Sequence, residues 1–330
     1  MKRSLYIYND GILQRHDNTI RFITENNDKK DIPIETISEI NIMSQMNFNT
    51  SLINLLAQQG IMVHFFNYYD FYIGSFCPRE KLLSGQLLVK QVNAYTNQQE
   101  RILIARKFVE GASANIFRNL RYYNERGKDV KQELNEIDSL RKNLNRARNI
   151  TELMGYEGNI HKIYYSAWNT VIDQEIDFQK RVKNPPDNLI NTMISYVNTL
   201  IYTKVLTEIY QTQLNPTISY LHEPGVRRFS LSLDIAEIFK PLIGDRLIFS
   251  LLNRKQITEK SFTKKMNYLH LTKESSMLIA SELDAKLKTT IQHKGLNKKV
   301  SYQYLIRLEC YKLIKHLFGE KEYEPFKIWW

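Results

Sequence analysis

The chain has 330 residues, of which 43% are hydrophobic, so it can bury one large core or two ordinary ones. Its net charge of +11 favours a polyanionic partner, either nucleic acid or an anionic membrane surface. The membrane alternative is weak, because the best apolar stretch, residues 189–206, is interrupted by Asn191, Asn198 and Lys204. The first ten residues also reach a charge and a turn too early for a signal peptide.

The two cysteines, Cys77 and Cys310, lie far apart in the sequence and lack the spacing of a metal site. We expect both thiols to be reduced, separate and structural, as in a cytoplasmic protein. Twenty tyrosines and fifteen phenylalanines are available to stack on bases, although most aromatic residues of a chain this size belong to its core.

Residues 1–78 are predicted to form a small β-rich domain. Short β-branched or aromatic runs alternate there with turn-forming residues, and Asn9-Asp10-Gly11 is a strong tight-turn signal. A helix is expected over residues 50–59, with Gly60 as its stop. The predicted strands are residues 4–9, 12–15, 19–24, 39–43, 61–66 and 71–76.

Beyond residue 80 the apolar residues recur every three to four positions, which predicts helices almost to the end. The fold class is therefore α+β, with a linker over residues 79–90 and an all-helical domain over residues 91–330. The longest predicted helices are residues 86–123, 130–144, 160–182, 187–213 and 275–293.

The clearest chemical pattern begins at His222, which lies in a Pro/Gly turn and is followed by Arg227 and Arg228. Asp234 and Glu237 come next in an apolar run, and their spacing puts them on the same face of a helix. Imidazole and carboxylates suit a divalent metal ion, and adjacent arginines suit a phosphate. The pattern favours metal-dependent chemistry on a phosphodiester, although a surface histidine and a helix N-terminal acid pair would give the same residues.

Two earlier segments carry similar polar residues. Glu157 lies between an aromatic residue and a glycine at the start of a predicted apolar helix, where an N-terminal acid is also common. Arg181 precedes two prolines and Asp187, which is predicted to cap the next helix.

In this order, the three segments resemble the CRISPR-associated adaptation integrase, the first of the universal Cas proteins. The similarity covers essentially the whole chain, including its β-rich start. It is carried by Glu157-Gly158, Arg181, Pro185-Pro186-Asp187, Asn191, Ser195-Tyr196, Leu221-His222, Arg228, Asp234, Glu237, Pro241, Asn253-Arg254-Lys255, Ile257, Tyr302, Arg307 and Tyr323-Glu324-Pro325-Phe326.

The resemblance implies an N-terminal β domain, a helical catalytic domain and a homodimer, two of which flank a dimer of the second universal Cas protein. It implies a site for Mg²⁺ or Mn²⁺ formed by Glu157, His222 and Glu237. Asp234 would be a close support or an alternate ligand, because the family often has Asp where this chain has Glu237. Which of these two acids binds the ion is left open by their spacing.

The activity that the resemblance implies is the insertion of new spacers into a CRISPR array. The 3′-hydroxyl of a captured DNA fragment would attack a phosphodiester at the end of a repeat, and endonuclease activity would use the same centre. Arg227 and Arg228 would contact phosphate near the site, and Arg181 is a further DNA-binding candidate.

Two other interpretations remain at this level. A transposon integrase or a branched-DNA repair nuclease would have the same fold, but the sequence shows no additional DNA-binding domain. A non-catalytic nucleic-acid-binding scaffold would lack a metal ion at Glu157, His222 and Glu237, so a metal titration separates it from the enzymes.

Overall fold

A computed structural model describes residues 2–79, 82–176, 178–182, 186–226, 229–265, 268–293 and 295–329. The chain divides into two compact units. The first comprises Met1–Leu83 with Ser276–Asp284, and the second comprises Ser84–Ser275 with Ala285–Trp330. The first unit thus includes one helical segment from far along the chain, which the predicted boundary at residue 78 does not contain.

In its described residues, the first unit contains two four-stranded sheets, the helix over residues 50–59 and the helical segment Ser276–Asp284. One sheet has the order β1-β5-β7-β8, with three parallel strands and an antiparallel edge, and the other has the order β4-β3-β2-β6. The elements are β1 (Arg3–Ile7), β2 (Gly11–His16), β3 (Thr19–Thr24), β4 (Lys29–Pro33), β5 (Ile37–Ile42), β6 (Met46–Phe48), α1 (Thr50–Gln59), β7 (Met62–Phe66) and β8 (Tyr72–Phe76).

Helix α1 has its predicted bounds, and Gly60 ends it as predicted, with a φ of 67°. Its start is fixed by a cap that was not predicted, because the Asn49 side chain accepts a hydrogen bond from the Leu52 N–H. Strand β4 was missed because its polar residues suggested a turn. It is an edge strand in which only Ile32 is buried, so it lacks the alternating apolar pattern of an inner strand.

The second unit is mostly helical, which confirms the predicted fold class, but two short hairpins interrupt the expected all-helical domain. Each hairpin pairs two four-residue strands, β9 with β10 and β11 with β12. The remaining elements in chain order are α2 (Gly85–Thr96), α3 (Gln98–Asn124), α4 (Lys131–Lys142), α5 (Ile150–Ser166), α6 (Trp168–Val171), α7 (Leu189–Tyr210), α8 (Ser230–Phe239), α9 (Arg246–Asn253), β9 (Phe262–Lys265), β10 (Tyr268–Leu271), α10 (Lys273–Lys288), β11 (Thr290–His293), β12 (Lys298–Ser301) and α11 (Tyr302–Leu317).

Several helix boundaries differ from the predictions because capping residues were overlooked. The predicted helix over residues 86–123 is two helices, since the Asn97 side chain caps α3. Helix α2 occupies the second half of the expected 79–90 linker. Asp187 is not the cap of α7; the Asn188 side chain accepts from the Asn191 N–H instead. No helix in the described ranges is long and apolar enough to cross a membrane.

Helix α8 runs into α9 through a π-helical segment, Lys240–Asp245. Pro241 has no N–H to donate, so an ordinary α-helix would lose a hydrogen bond there. Two amides of α3 bind carbonyls on either side of this turn: Asn115 donates to the Ile238 carbonyl at 2.9 Å, and Asn119 donates to the Pro241 carbonyl at 3.2 Å. The end of α8, where the candidate site lies, is thereby fixed to α3.

Candidate metal centre

Glu157 and His161 lie one turn apart on the same face of α5. The helix begins earlier than predicted, because the Asn149 side chain accepts from the Glu152 N–H at 2.8 Å. The four-residue spacing brings His161 Nε2 to 3.2 Å from Glu157 Oε1. His161 was not among the predicted site residues, although a Glu and a His four apart in a helix are a recognisable pattern.

Glu237 completes this group from α8. Its side chain is buried, its Oε2 lies 3.5 Å from His161 Nε2, and its Oε1 accepts from Lys240 Nζ at 2.5 Å. One ligand atom each from Glu157, His161 and Glu237 lie within 4.8 Å of one another, which is compact enough for one metal ion. Two of the predicted ligands are thus brought together.

The charges of this cluster are mutually stabilising. Burial disfavours the imidazolium of His161, but hydrogen bonds and charges from Glu157 and Glu237 raise its pKa to about 10. Burial also disfavours the carboxylate of Glu237, yet Lys240 and His161 lower its pKa well below the usual range. The centre therefore keeps negative oxygens inside the protein, as a cation site requires.

His222 is held by Asp234 rather than grouped with the two glutamates. Buried Asp234 accepts the N–H groups of Tyr220 and Leu221 at 2.7 and 3.0 Å through Oδ2. Its Oδ1 accepts the His222 N–H at 3.0 Å and contacts His222 Nδ1 at 2.8 Å. With Nδ1–H donated to the carboxylate, Nε2 carries the lone pair and can bind a ligand, which is the usual arrangement of a metal-binding histidine.

The charges of Asp234 and Glu237 both act on His222. Burial disfavours the imidazolium of His222, while the hydrogen bond to Asp234 and the charges of Asp234 and Glu237 raise its pKa. His222 is nevertheless not one of the three side chains whose ligand atoms lie within 4.8 Å. The structure thus gives the two acids different surroundings. Glu237 faces Glu157 and His161, whereas both oxygens of Asp234 are hydrogen-bonded to the loop that carries His222.

A second anchor of the His222 loop was not predicted from the sequence. Buried Arg101, on α3, donates through Nε to the Tyr220 carbonyl at 3.0 Å and through Nη2 to Glu223 at 2.6 Å. The Ser219 hydroxyl donates to the His222 carbonyl at 2.6 Å. The loop is therefore fixed on both sides of the imidazole.

The predicted phosphate-binding arginines are placed differently. Arg227 and Arg228 lie outside the described residues. Half-buried Arg181 donates to the side chains of Asn191 and Ser195 at 3.0 and 2.9 Å. These contacts join the segment that precedes α7 to the helix itself, so Arg181 has a structural role.

The family model described as "CRISPR associated protein Cas1" matches residues 5–285. The CRISPR-associated endonuclease Cas1 of Fusobacterium nucleatum subsp. nucleatum is 66% identical over 330 residues, covering 100% of this chain and 98% of that protein. The solved structure of a Cas1 protein from Thermotoga maritima has 40% identity and a TM-score of 0.87, covering 97% of this chain and 98% of that one.

Two more distant structures share the fold. A casposase bound to its integration product has a TM-score of 0.84 at 21% identity, covering 99% of this chain and 93% of that one. A chain of a Cas6-RT-Cas1–Cas2 complex has a TM-score of 0.85 at 16% identity, covering 100% of this chain and 36% of that one.

Proposed function

The chain belongs to the Cas1 family of CRISPR-associated proteins, and on that premise we propose that it is a metal-dependent DNA integrase with endonuclease activity. It inserts captured DNA fragments as new spacers into a CRISPR array. The observation that carries the proposal is the convergence of Glu157 and Glu237 beside a histidine loop fixed by Asp234. A non-catalytic scaffold would bind no metal ion at these carboxylates, so a metal titration separates it from this proposal.

The residues present fit a hard or borderline divalent cation. Glu157 and Glu237 offer oxygen ligands, and His222 offers Nε2 while Asp234 holds its other nitrogen. We assign these three as ligands of Mg²⁺ or Mn²⁺ and Asp234 as their support. When bound, the ion polarises a phosphoryl oxygen and lowers the pKa of the attacking hydroxyl.

The reaction is a transesterification. The 3′-oxygen of the fragment forms a bond to phosphorus at the repeat boundary, and the bond from phosphorus to the repeat's own 3′-oxygen breaks. His222 is not assigned as a general base, because a nitrogen that binds the ion has no lone pair left to accept a proton. Lys240 balances the charge of Glu237. Arg227 and Arg228 are assigned to DNA phosphates, whereas Arg181 remains bonded to Asn191 and Ser195.

The proposed partners are DNA, a second copy of this chain and the second universal Cas protein. The net charge of +11 suits phosphate binding, which makes DNA affinity strongly salt-dependent. The casposase bound to an integration product and the Cas6-RT-Cas1–Cas2 complex share this fold. We place the homodimer contact in the first unit, where edge strand β8 exposes Ile73. A monomer in sedimentation at micromolar concentration would overturn the dimer.

The test is half-site integration of an oligonucleotide into a supercoiled plasmid carrying a CRISPR repeat. With Mn²⁺ or Mg²⁺, a 3′-hydroxyl end should be joined, whereas a 3′-deoxy end or added EDTA should abolish joining. The matched control is the same plasmid with a scrambled repeat. Equal joining of the 3′-deoxy end, or joining in EDTA, would overturn the proposal.

A further inference from the structure

The two contacts of His161 are long for an ion pair. Its Nε2 lies 3.2 Å from Glu157 and 3.5 Å from Glu237. Charge-assisted hydrogen bonds are usually about 2.7–2.9 Å long. Neighbouring contacts are shorter. Lys240 Nζ lies 2.5 Å from Glu237 Oε1, and His222 Nδ1 lies 2.8 Å from Asp234 Oδ1.

This spacing suits atoms that share one cation. Neighbouring ligands at about 2.0–2.2 Å from an ion are about 2.8–3.1 Å apart in an octahedral arrangement and about 3.3–3.6 Å apart in a tetrahedral one. The distances of 3.2 and 3.5 Å from His161 Nε2 to the glutamate oxygens lie within the span of these two arrangements. The nitrogen therefore lies where a ligand would lie, with the two carboxylates beside it.

Nδ1 of the ring does not decide between a structural and a ligand role. His161 Nδ1 is buried and has no hydrogen-bond partner among the described residues, whereas both an anchoring histidine and a metal-binding one usually satisfy this nitrogen. Charge balance does not require His161 for Glu237, because Lys240 already contacts that carboxylate.

We propose that His161 is a further ligand of the divalent ion, through Nε2, whose proton is released to solvent when the ion binds, so that the centre has two carboxylates and two imidazoles. This inference rests on the proposed function, which supplies the ion. Nitrogen ligands favour Mn²⁺ over Mg²⁺, which prefers oxygen. His161 therefore adds to the preference for Mn²⁺ that His222 already gives the centre.

The experiment measures metal binding by the full-length protein without DNA. Free Mn²⁺ is followed by its electron paramagnetic resonance signal, and Mg²⁺ affinity is obtained by competition. His161→Gln should weaken Mn²⁺ binding by at least about 10-fold, a loss seen even for groups that only support a ligand. It should weaken Mg²⁺ binding less, so the affinity for Mn²⁺ relative to that for Mg²⁺ should fall.

Two variants provide the controls. His222→Gln, at the other proposed imidazole ligand, should weaken Mn²⁺ binding, and His16→Gln, at an exposed position in the first unit, should not. Unchanged or tighter Mn²⁺ binding by His161→Gln, with weakened binding by His222→Gln, would overturn the inference and leave the proposed function intact. No Mn²⁺ binding by the wild-type protein would instead overturn the proposed function.

A measurement on the wild-type protein covers the case in which His161→Gln does not fold. Pulsed electron paramagnetic resonance of bound Mn²⁺ detects directly coordinated imidazole nitrogens. Two coupled imidazoles are expected in the wild type and one in His222→Gln. A single coupled imidazole in the wild type that disappears in His222→Gln would overturn the role of His161.

Discussion

The two histidines of the candidate centre are held in opposite ways. His222 is fixed before any ion arrives, because Asp234 contacts its Nδ1 and accepts its N–H together with two neighbouring N–H groups. His161 only faces two carboxylates at a distance, and its Nδ1 has no partner among the described residues. One half of the centre is thus organised by the protein alone, whereas the other half depends on what lies between the carboxylates.

The largest effect is expected when a carboxylate is removed from the half of the centre that contains His161. Glu237→Gln keeps the size of the side chain but loses its charge, so strand transfer should fall at least about a thousandfold, because several kcal/mol of transition-state stabilisation is lost. The loss should persist at saturating Mn²⁺. The assay is half-site integration, with Glu125→Gln at an exposed acid as the control. Activity within tenfold of the wild type would remove Glu237 from the ligands.

Asp234→Asn disturbs the organised half instead. The amide cannot accept all the hydrogen bonds of the loop, so the free energy of unfolding should fall by about 1–3 kcal/mol. Metal affinity should fall with it, and strand transfer should recover in part at high Mn²⁺. Both variants are compared across one metal titration. If Asp234→Asn is inactive at every concentration and Glu237→Gln is rescued, the roles of the two acids are reversed.

A smaller effect is expected from Arg101, which acts through the His222 loop. Arg101→Gln loses a charged hydrogen bond and a bond to the Tyr220 carbonyl, so the metal concentration for half-maximal activity should rise severalfold. The maximal rate should change less, because saturating metal restores the loop. Arg121→Gln on the same helix loses an exposed pair with Glu125 and should change neither quantity. Equal changes in both variants would show that Arg101 has no positioning role.

Sequence patterns predicted the local parts of this centre. The spacing of Asp234 and Glu237 required only that the segment be helical, and α8 confirms this. The same spacing could not say which acid faces the cluster, since that depends on the loop that packs against Asp234. The role of Glu157 as a metal ligand was implied by the resemblance alone. The residue lies further inside its helix than expected.

The features that were missed depend on tertiary contacts. Arg101 lies 119 residues before its carbonyl partner, Tyr220, so no local pattern connects them. The role of His161 became visible only when α5 and α8 placed it between two carboxylates. Strand β4 and the two hairpins were missed because short, exposed strands carry little apolar periodicity.

The first unit offers a contrasting buried acid, and its expected effect is the smallest. Burial raises the pKa of Asp70 to about 6, although the Ser276 hydroxyl donates to its carboxylate at 2.9 Å. The unfolded chain has a pKa of about 3.9, so this group favours folding below about pH 4 and loses that contribution as the pH rises through 6.

Asp70→Asn should therefore stabilise the protein at pH 8 by about 1–2 kcal/mol and by about a third of that amount near pH 4.5. Asparagine also tolerates the positive φ of 60° at this position, so the backbone needs no change. Urea unfolding from pH 4.5 to 8 measures the difference, with exposed Asp28→Asn as the control. A stability gain that is constant across this range would mean that Asp70 does not titrate there, and the loss of charge would no longer explain the gain.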